Sequence, residues 1–296
     1  MVEPGLVLID KPTDWTSHDV VAKVRKAIGT KKVGHAGTLD PLATGLLVLG
    51  IESGTKLLTF LVGADKTYLA TIRLGVATVS DDSQSEILTT ATAAALASVT
   101  PEMIEREMVK LTGVISQRPS SVSAIKVDGK RAYDLVRAGE EVELKSREVT
   151  VSAFELLSSS ISADGYIDLE VKVECSSGTY IRALARDLGA ALGVGGHIIA
   201  LRRTKVGSFN VSDANSITEL ESLRLTPLAT AASDLFPTVS LSAEQVTDLV
   251  HGKRLSDVST TGSLIAGLSN SGKLVAVLEP AGSGLKSVVV FQGEQK

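Results

Sequence analysis

The chain has 296 residues, with 30 lysines and arginines against 34 aspartates and glutamates, and a formal net charge of −4. A chain of this length buries enough apolar surface to fold without covalent staples, and its single cysteine excludes a disulfide framework and a cysteine-rich zinc site. No apolar run approaches the roughly 20 residues that span a bilayer, and the acidic N-terminus does not resemble a signal peptide, so we expect a soluble, cytoplasmic protein.

The first elements follow from apolar runs and capping signals. Residues 5–12 form an apolar run that ends in a proline, which predicts a short buried strand. Residues 16–29 predict a helix, because Thr16 or Ser17 can cap its start and Gly29 can end it. A loop rich in glycine follows, and residues 45–51 predict a second buried strand.

The middle of the chain alternates between strand and helix patterns. Residues 66–78 predict a strand, and the polar, acidic residues 79–92 predict an exposed loop. Residues 100–113 predict a helix with a threonine cap and a proline in its first turn. Residues 167–175 alternate strictly, which predicts a strand with one buried face that includes the lone cysteine as an inert core thiol. Residues 179–192 predict a further helix.

These elements do not repeat in strict strand–helix–strand order. The pattern favours an α+β protein with a mixed, largely antiparallel central sheet flanked by helices, rather than a doubly wound fold. After about residue 230 the chain consists of short apolar runs separated by glycine and serine, which predicts a small β-rich domain. We place the two domains at residues 1–232 and 233–296.

Local charge differs from the net charge. Residues 172–207 hold six basic residues against two acidic ones, and residues 118–137 hold five against two. Residues 208–296 are acidic. Local patches rather than the total charge set the attraction to phosphates, although such charges also serve simply to solvate helix faces.

The stretch VGHAGTLDPLATGLLVLG, residues 33–50, carries more signals than a connecting loop requires. Asp40 precedes Pro41, which biases its backbone towards an extended turn conformation. The neighbouring glycines allow a ligand to approach the backbone closely. The apolar strand that follows anchors the loop in the sheet. The pattern indicates a carboxylate at the rim of a rigid core, or else a turn in which Asp40 bonds only its own backbone.

Several familiar sites are excluded by spacing. No lysine and serine or threonine follow the glycines, so the stretch is not a P-loop, and the glycines lack dinucleotide-binding spacing. The four histidines are scattered without the spacing of zinc ligands. No nucleophile elbow accompanies the serines.

The segment GHAGTLDPLATG resembles the signature of the TruB family, the bacterial pseudouridine synthases that modify the T loop of tRNA. Five more blocks match the family in order over about residues 5–210, and together with the signature they are far more specific than one short motif. They are LIDKP (8–12), DKTY (65–68), RPSSVSAIKVDGKRAYDLVRAG (118–139), CSSGTYIRALARDLG (175–189) and GGHIIALRRTKVGSF (195–209).

The resemblance implies the pseudouridine synthase fold and isomerisation of uridine 55. The N1–C1′ bond breaks, the base turns, and C5 joins C1′, with no redox step or group transfer, so no cofactor and no metal are expected. The uridine must leave its stack, at a cost of a few kcal/mol. The expected partner is the T stem-loop of tRNA, without a guide RNA, an obligatory protein partner or a membrane.

The resemblance also assigns roles to residues. Asp40 matches the family's catalytic aspartate, and Arg182 matches the cation that pairs with it. Tyr68 and Tyr180 match the two tyrosines of the site, where a ring can stack on the uracil and the Tyr68 phenol can take part in proton transfer. Leu201 matches an apolar wall of the uracil pocket.

Further matches lie around the pocket. His35 matches the residue that fills the space left by the flipped base, and Lys11 matches a lysine that shapes the pocket. Residues 118–149 match a mobile lobe that closes over the RNA, and residues 233–296 match a PUA-like domain. The expected contacts to the RNA backbone are Arg118, Lys126, Lys130, Arg131, Arg137, Arg202, Arg203 and Lys205.

Two other functions are compatible with parts of the pattern. One is a guide-dependent synthase of ribosomal RNA, which would need protein partners and usually carries lysine-rich extensions. The other is a non-catalytic module that binds or folds RNA. Pseudouridine formation in tRNA by the protein alone distinguishes the tRNA pseudouridine synthase from both of these functions.

Overall fold

A computed structural model of the chain describes residues 2–120, 126–127, 130–131, 144–256, 258 and 261–291, with backbone only for 126–127 and 130–131. The described residues form one large mixed sheet of 11 strands, a second sheet of four strands, and helices packed against them. The predicted α+β fold with a largely antiparallel central sheet is confirmed.

Seven α-helices lie in the described residues: α1 (Ser17–Ile28), α2 (Leu58–Val62), α3 (Ala93–Ala97), α4 (Pro101–Lys110), α5 (Ile181–Ala191), α6 (Leu228–Leu235) and α7 (Ala243–Val250). The described strands are β1 (Gly5–Lys11), β2 (Val33–Ala36), β3 (Thr44–Ile51), β4 (Lys66–Leu74), β5 (Val76–Thr78), β6 (Ile87–Thr90), β7 (Gly113–Gln117), β8 (Lys126–Val127), β9 (Lys130–Arg131), β10 (Arg147–Ile161), β11 (Ile167–Cys175), β12 (Gly196–Val206), β13 (Phe209–Asn210), β14 (Asn215–Ser216), β15 (Thr226–Pro227), β16 (Thr238–Leu241), β17 (Ile265–Ser269), β18 (Leu274–Ala281) and β19 (Gly284–Val290). No helix in this part of the chain combines the length and apolar character needed to cross a bilayer.

The large sheet has two halves that meet at one short junction. Its main order is β14-β1-β3-β12-β4-β11-β10-β7, with β2 and β15 added on the β3 side. The strand pairs on either side of β3 and β12 are long and antiparallel. β3 and β12 themselves pair in parallel through only two residue pairs, Thr44 with Arg202 and Gly45 with Arg203. The loop between β2 and β3 therefore re-enters the sheet at this junction.

The capping signals of the sequence act as expected. The Thr16 hydroxyl accepts a hydrogen bond from the Asp19 amide at 3.1 Å, and the Asp19 carboxylate accepts one from the Thr16 amide at 2.9 Å. This capping box starts α1, and Gly29 ends it with φ of 70°. Thr100 caps α4, and a proline occupies the first turn.

Two predictions of secondary structure, one of a strand and one of a loop, are corrected by the structure. The strand predicted over 66–78 is divided into β4 and β5 at Gly75, where φ is 110°. The prediction of an exposed loop over 79–92 is wrong in two respects, because Ser80, Asp81 and Asp82 are buried and Ile87–Thr90 form strand β6. The Ile198 amide of β12 donates to the Asp81 carbonyl at 3.1 Å, which fixes this turn against the large sheet.

The second sheet shares its apolar interior with the large one. Its order is β16-β17-β18-β19, which confirms the predicted β-rich C-terminal part. The domain boundary at residue 232 stays a prediction. The shared core consists of side chains from both sheets that pack together, among them Leu6, Leu8 and Leu57 on one side and Ala266, Leu274, Val277 and Phe291 on the other. Lys56 Nζ also donates to the Val290 carbonyl at 3.1 Å.

Helix α5 approaches β12 without intervening side chains. A Cβ atom on Gly189 would lie 2.2 Å from the Gly195 carbonyl carbon and 2.2 Å from the Gly196 nitrogen, both of them backbone atoms that cannot move aside easily. This backbone contact seats α5 on the large sheet.

We expect Gly189→Ala to lower the free energy of unfolding by about 1–3 kcal/mol, because the added methyl group overpacks a backbone contact. Urea denaturation followed by circular dichroism measures this change. Gly63→Ala is the matched control, since Gly63 has a helical φ of −80° and open space around its Cβ position. Equal stability of the two variants would contradict the packing argument.

Candidate active site

The loop of residues 37–43, between β2 and β3, carries Asp40 and is held by a buried serine. Ser17 Oγ accepts a hydrogen bond from the Leu39 amide at 2.9 Å and donates one to the Leu39 carbonyl at 3.1 Å. Ser17 is only 1% exposed, so water does not compete for these bonds. The residue before Asp40 is therefore fixed relative to helix α1.

A buried arginine holds the start of the same loop. Arg203 of β12 donates from Nη2 to the Gly37 carbonyl and from Nε to the Leu46 carbonyl, each at 2.8 Å. Its neighbour across the junction is Gly45, with φ of +96°, where a Cβ atom would lie 2.2 Å from the Arg203 carbonyl oxygen. Arg203 is 1% exposed. Its guanidinium holds the loop and the sheet, and its predicted contact with an RNA phosphate stays a prediction.

Lys11 links the loop to the end of β1 and the start of α1 through hydrogen bonds to backbone carbonyls. The side chain is fully buried, and its ammonium donates to the carbonyls of Pro12 at 2.9 Å, Trp15 at 2.6 Å and Pro41 at 3.2 Å. Burial lowers the pKa of Lys11 to about 8, although the Asp40 carboxylate opposes part of this shift. The structure places Lys11 beneath the loop rather than in the pocket above it.

Asp40 belongs to a network centred on Arg182, the second residue of α5. Arg182 Nη2 lies 2.9 Å from Asp40 Oδ2, and Nη1 lies 3.5 Å from Asp82 Oδ2. Nη1 also donates to the Ser80 carbonyl at 2.8 Å. The Arg182 side chain is 7% exposed and the Asp40 side chain is 43% exposed. The guanidinium is thus held by Ser80 and Asp82, and the Asp40 carboxylate that it pairs with faces open space.

That open space is a cavity of about 330 Å³, a size typical of small-molecule sites. It is lined by six of the residues singled out from the sequence: Asp40, Tyr68, Tyr180, Arg182, Leu201 and Arg203. They come from the β2–β3 loop, β4, the start of α5 and β12. The structure therefore brings together the side chains that the sequence assigned to the pocket.

The two tyrosines are fixed differently. Tyr68 is 7% exposed, and burial raises the pKa of its phenol, so the hydroxyl stays protonated near neutral pH. The backbone of Tyr180 is bracketed by Gln117, whose Nε2 donates to the Tyr180 carbonyl at 3.0 Å and whose Oε1 accepts from its amide at 2.8 Å. This role of Gln117 was not predicted, because no motif distinguishes Gln117 from any other strand residue.

Two further cations line the pocket and were also missed. Lys66 Nζ donates to the carbonyls of Val62 at 3.1 Å and Ala64 at 2.5 Å. The Arg147 guanidinium lies 4.6 Å from the centre of the Tyr180 ring. Among the described lining residues there are four cationic side chains and one carboxylate, so the pocket favours an anionic ligand.

Other predicted residues lie outside the pocket lining. His35 is half-buried on β2 and makes an edge-to-face contact with His18 at 5.8 Å. Burial lowers the pKa of His35, with smaller contributions from His18 and Arg203, so its ring is neutral at pH 7. Arg202 forms a two-pronged pair with Asp10 at 2.9 and 2.7 Å.

The remaining RNA-contact predictions concern exposed or undescribed side chains. Arg118 and Lys205 are exposed. The side chains of Lys126, Lys130 and Arg131, and all of Arg137, lie outside the described residues. Among the residues that are described, no group of three or more His, Cys, Asp or Glu side chains is arranged to hold a metal ion.

Three family models together match nearly the whole chain. Residues 25–181 match the N-terminal domain of the TruB family pseudouridylate synthases. Residues 182–239 match the tRNA pseudouridylate synthase B C-terminal domain, and residues 236–292 match the C-terminal domain of tRNA pseudouridine synthase II.

Individual proteins match over their full length. The chain is 56% identical over 299 residues to tRNA pseudouridine synthase B of Leifsonia xyli subsp. xyli, covering 100% of this chain and 99% of that protein. It is 50% identical to the protein of the same name from Paenarthrobacter aurescens, covering 97% and 94%. A solved Cbf5-Nop10-Gar1 complex contains a chain with a TM-score of 0.71 and 26% identity, covering 98% of this chain and 85% of that one. A solved H/ACA RNP bound to a substrate RNA contains a chain with a TM-score of 0.72 and 24% identity, covering 98% of this chain and 86% of that one. This second match shows a likeness of fold.

The environment of Lys11 predicts a pH-dependent change in the loop. As the pH rises through about 8, the ammonium becomes an amine with two N–H donors for the three carbonyls. One of these belongs to Trp15, the single tryptophan of the chain. We expect its fluorescence to change with a midpoint near pH 8.

Lys11→Met is the control for this titration, because it removes the titrating group. Lys23, whose ammonium lies 5.1 Å from the Trp15 ring centre, remains in both proteins. A flat wild-type signal between pH 7 and 9, or the same midpoint in the variant, would contradict the assignment.

Proposed function

This chain belongs to the TruB family of pseudouridylate synthases, and we propose that it converts uridine 55 in the T loop of tRNA to pseudouridine with Asp40 as the catalytic residue. The observation that carries the proposal is the Asp40 carboxylate, held at 2.9 Å by a buried arginine and facing a cavity that also contains Tyr68. Full-length similarity to proteins named tRNA pseudouridine synthase B supports tRNA as the substrate.

The chemistry requires an ionised carboxylate beside the nucleoside. Asp40 either adds to the base, adds to the sugar, or removes a sugar proton, and each route begins from the carboxylate. The Arg182 guanidinium lies 2.9 Å from this carboxylate and pairs with it. Because Arg182 is also bonded to the Asp82 turn, Asp40 does not have to recruit the cation when substrate enters.

The other lining residues fit the demands of a flipped uracil. Leu201 gives the pocket an apolar wall, and the ring of Tyr68 or Tyr180 offers a stacking surface worth about 1–3 kcal/mol. Tyr68 lines the cavity, and its protonated phenol can donate a hydrogen bond to a base bound there. These contacts offset the few kcal/mol that extrusion of the base costs.

We assign His35 and the exposed basic residues to the RNA outside the pocket. The neutral ring of His35 is suited to fill an apolar gap between stacked bases, because it carries no charge to desolvate. Arg118 and Lys205 are exposed and available to phosphates. Arg202 would have to share its guanidinium between RNA and Asp10.

The function is tested with the purified protein alone. An unmodified tRNA transcript is incubated with the enzyme, and pseudouridine is mapped along the chain. We expect product at the T-loop uridine without guide RNA or added protein. Product only after a guide RNA and partner proteins are added, or no product at all, would contradict the proposal.

Asp40→Asn keeps the size of the side chain and removes its charge. We expect turnover to fall by about 10⁴-fold or more, because no other lining carboxylate can replace it. Affinity for the tRNA should change little, since the loop is held by Ser17, Lys11 and Arg203 rather than by Asp40. Near-normal turnover of this variant would show that the catalytic assignment is wrong.

Asp82→Asn tests the support behind Arg182. We expect kcat to fall by about 10- to 100-fold with little change in KM, because a misplaced guanidinium no longer aligns Asp40. Asp168→Asn is the control: Asp168 also pairs with an arginine, Arg73, at 2.8 and 2.7 Å, but outside the pocket. Equal effects of the two substitutions would mean that Asp82 only stabilises the fold.

A further inference from the structure

Arg147 lines the active-site pocket, but its role is not explained by the reaction at Asp40. It is the first residue of β10, where it pairs with Gln117 of β7. Its guanidinium lies 4.6 Å from the Tyr180 ring centre, and Nη1 is close to Gly178 at the pocket wall. The side chain is therefore held over one face of a ring that belongs to the site.

The donors of Arg147 differ from those of the other pocket cations. Lys66 donates to two carbonyls, Arg203 donates to two carbonyls, and Arg182 bonds to a carbonyl and two carboxylates. The Nε and Nη2 atoms of Arg147 are buried, and no residue in the described part of the chain accepts a hydrogen bond from either.

Buried guanidinium donors without acceptors are costly, since they have lost water and gained nothing in exchange. Nε and Nη2 form one edge of the guanidinium, and this edge matches the spacing of two oxygens of a phosphate or carboxylate. The guanidinium carbon lies over the Tyr180 ring, 4.6 Å from its centre, and the Nε–Nη2 edge has no acceptor among the described residues. These two donors have already lost their contact with water, so binding an anion would not require their further desolvation.

We propose that Arg147 binds the backbone phosphate next to the flipped uridine, through Nε and Nη2, and so fixes the nucleotide while Asp40 acts on it. The inference rests on the proposed function, because an extruded nucleotide brings a phosphate into the pocket mouth. A phosphate is favoured over a uracil carbonyl because the lining has three more cations than carboxylates, and the phosphate is the anionic part of the nucleotide. Arg147 is thus a substrate-binding residue retained at the expense of stability.

The test is a double-substitution cycle between the protein and the RNA. Binding of a T-arm stem-loop is measured in an Asp40→Asn background, with each phosphate beside the target uridine replaced in turn by a neutral methylphosphonate. The proteins compared carry Arg147, Arg147→Met or Arg147→Lys. Arg73→Met is the matched control, because Arg73 also lies over a tyrosine ring, that of Tyr166 at 5.7 Å, but is satisfied by Asp168.

With Arg147 present, we expect one methylphosphonate to weaken binding by about 10- to 100-fold, the effect of a lost charge-assisted hydrogen bond. Arg147→Met should weaken binding of unmodified RNA by a similar factor and be insensitive to that methylphosphonate. Its salt dependence should be shallower by about 0.7 in the slope of log K against log salt concentration. Arg147→Lys should lie between the two, and Arg73→Met should match the wild type.

Thermal unfolding separates binding from a structural role. Arg147→Met should unfold at the same or a higher Tm than the wild type, because it removes buried donors without partners. Unchanged affinity in Arg147→Met, an undiminished methylphosphonate effect, or a lower Tm with uniformly weaker binding would each overturn the proposal. If the wild type forms no pseudouridine in tRNA, the proposed function fails, and the cycle still reports separately on the contact between Arg147 and phosphate.

Discussion

The buried guanidinium of Arg203 is the contact on which the geometry of the site depends. β3 and β12 pair through two residue pairs only, so the two halves of the large sheet have little backbone bonding to hold them in register. Arg203 reaches from β12 to the Leu46 carbonyl in β3 and to the Gly37 carbonyl at the start of the loop. Gly45 lets the two strands come this close. Asp40 from one half thereby meets Tyr68 and Leu201 from the other.

The cations around the pocket have separate tasks. Lys11 and Arg203 act on backbone carbonyls and build the loop, whereas Arg182 acts on carboxylates and orients Asp40. Arg147 keeps donors that the described protein atoms do not use. Since all of these charges lie close together, the pocket is positive in a chain whose net charge is −4. The acidity of the whole chain therefore does not conflict with an RNA substrate.

Local signals predicted the elements that have local causes. The capping box at Thr16 and Asp19 and the strict alternation over 167–175 are complete within the sequence, and both elements appear as predicted. The turn at Ser80–Asp82 was misjudged, because its polar groups are satisfied by Arg182 and by β12, which are distant in the sequence. The burial of Arg203 could not be predicted for the same reason, since two adjacent basic residues do not indicate that one of them is buried. The pocket set around Asp40 could be predicted through family resemblance. Gln117 and Arg147 lie outside the matching motifs, and Lys66 lies within DKTY, where nothing in the residues themselves indicates that its side chain lines the pocket.

The shared core has a consequence for how the chain behaves as a whole. Leu6 and Leu8 of the first strand belong to the same buried apolar cluster as Val277 and Phe291, so segments far apart in the chain complete one interior. The four-stranded sheet therefore shares a hydrophobic core with the large sheet and is not a separately packed unit joined by a linker. A version cut short before Thr238 would present sticky, water-exposed leucines and would be prone to aggregate, so a smaller catalyst cannot be obtained by simple truncation.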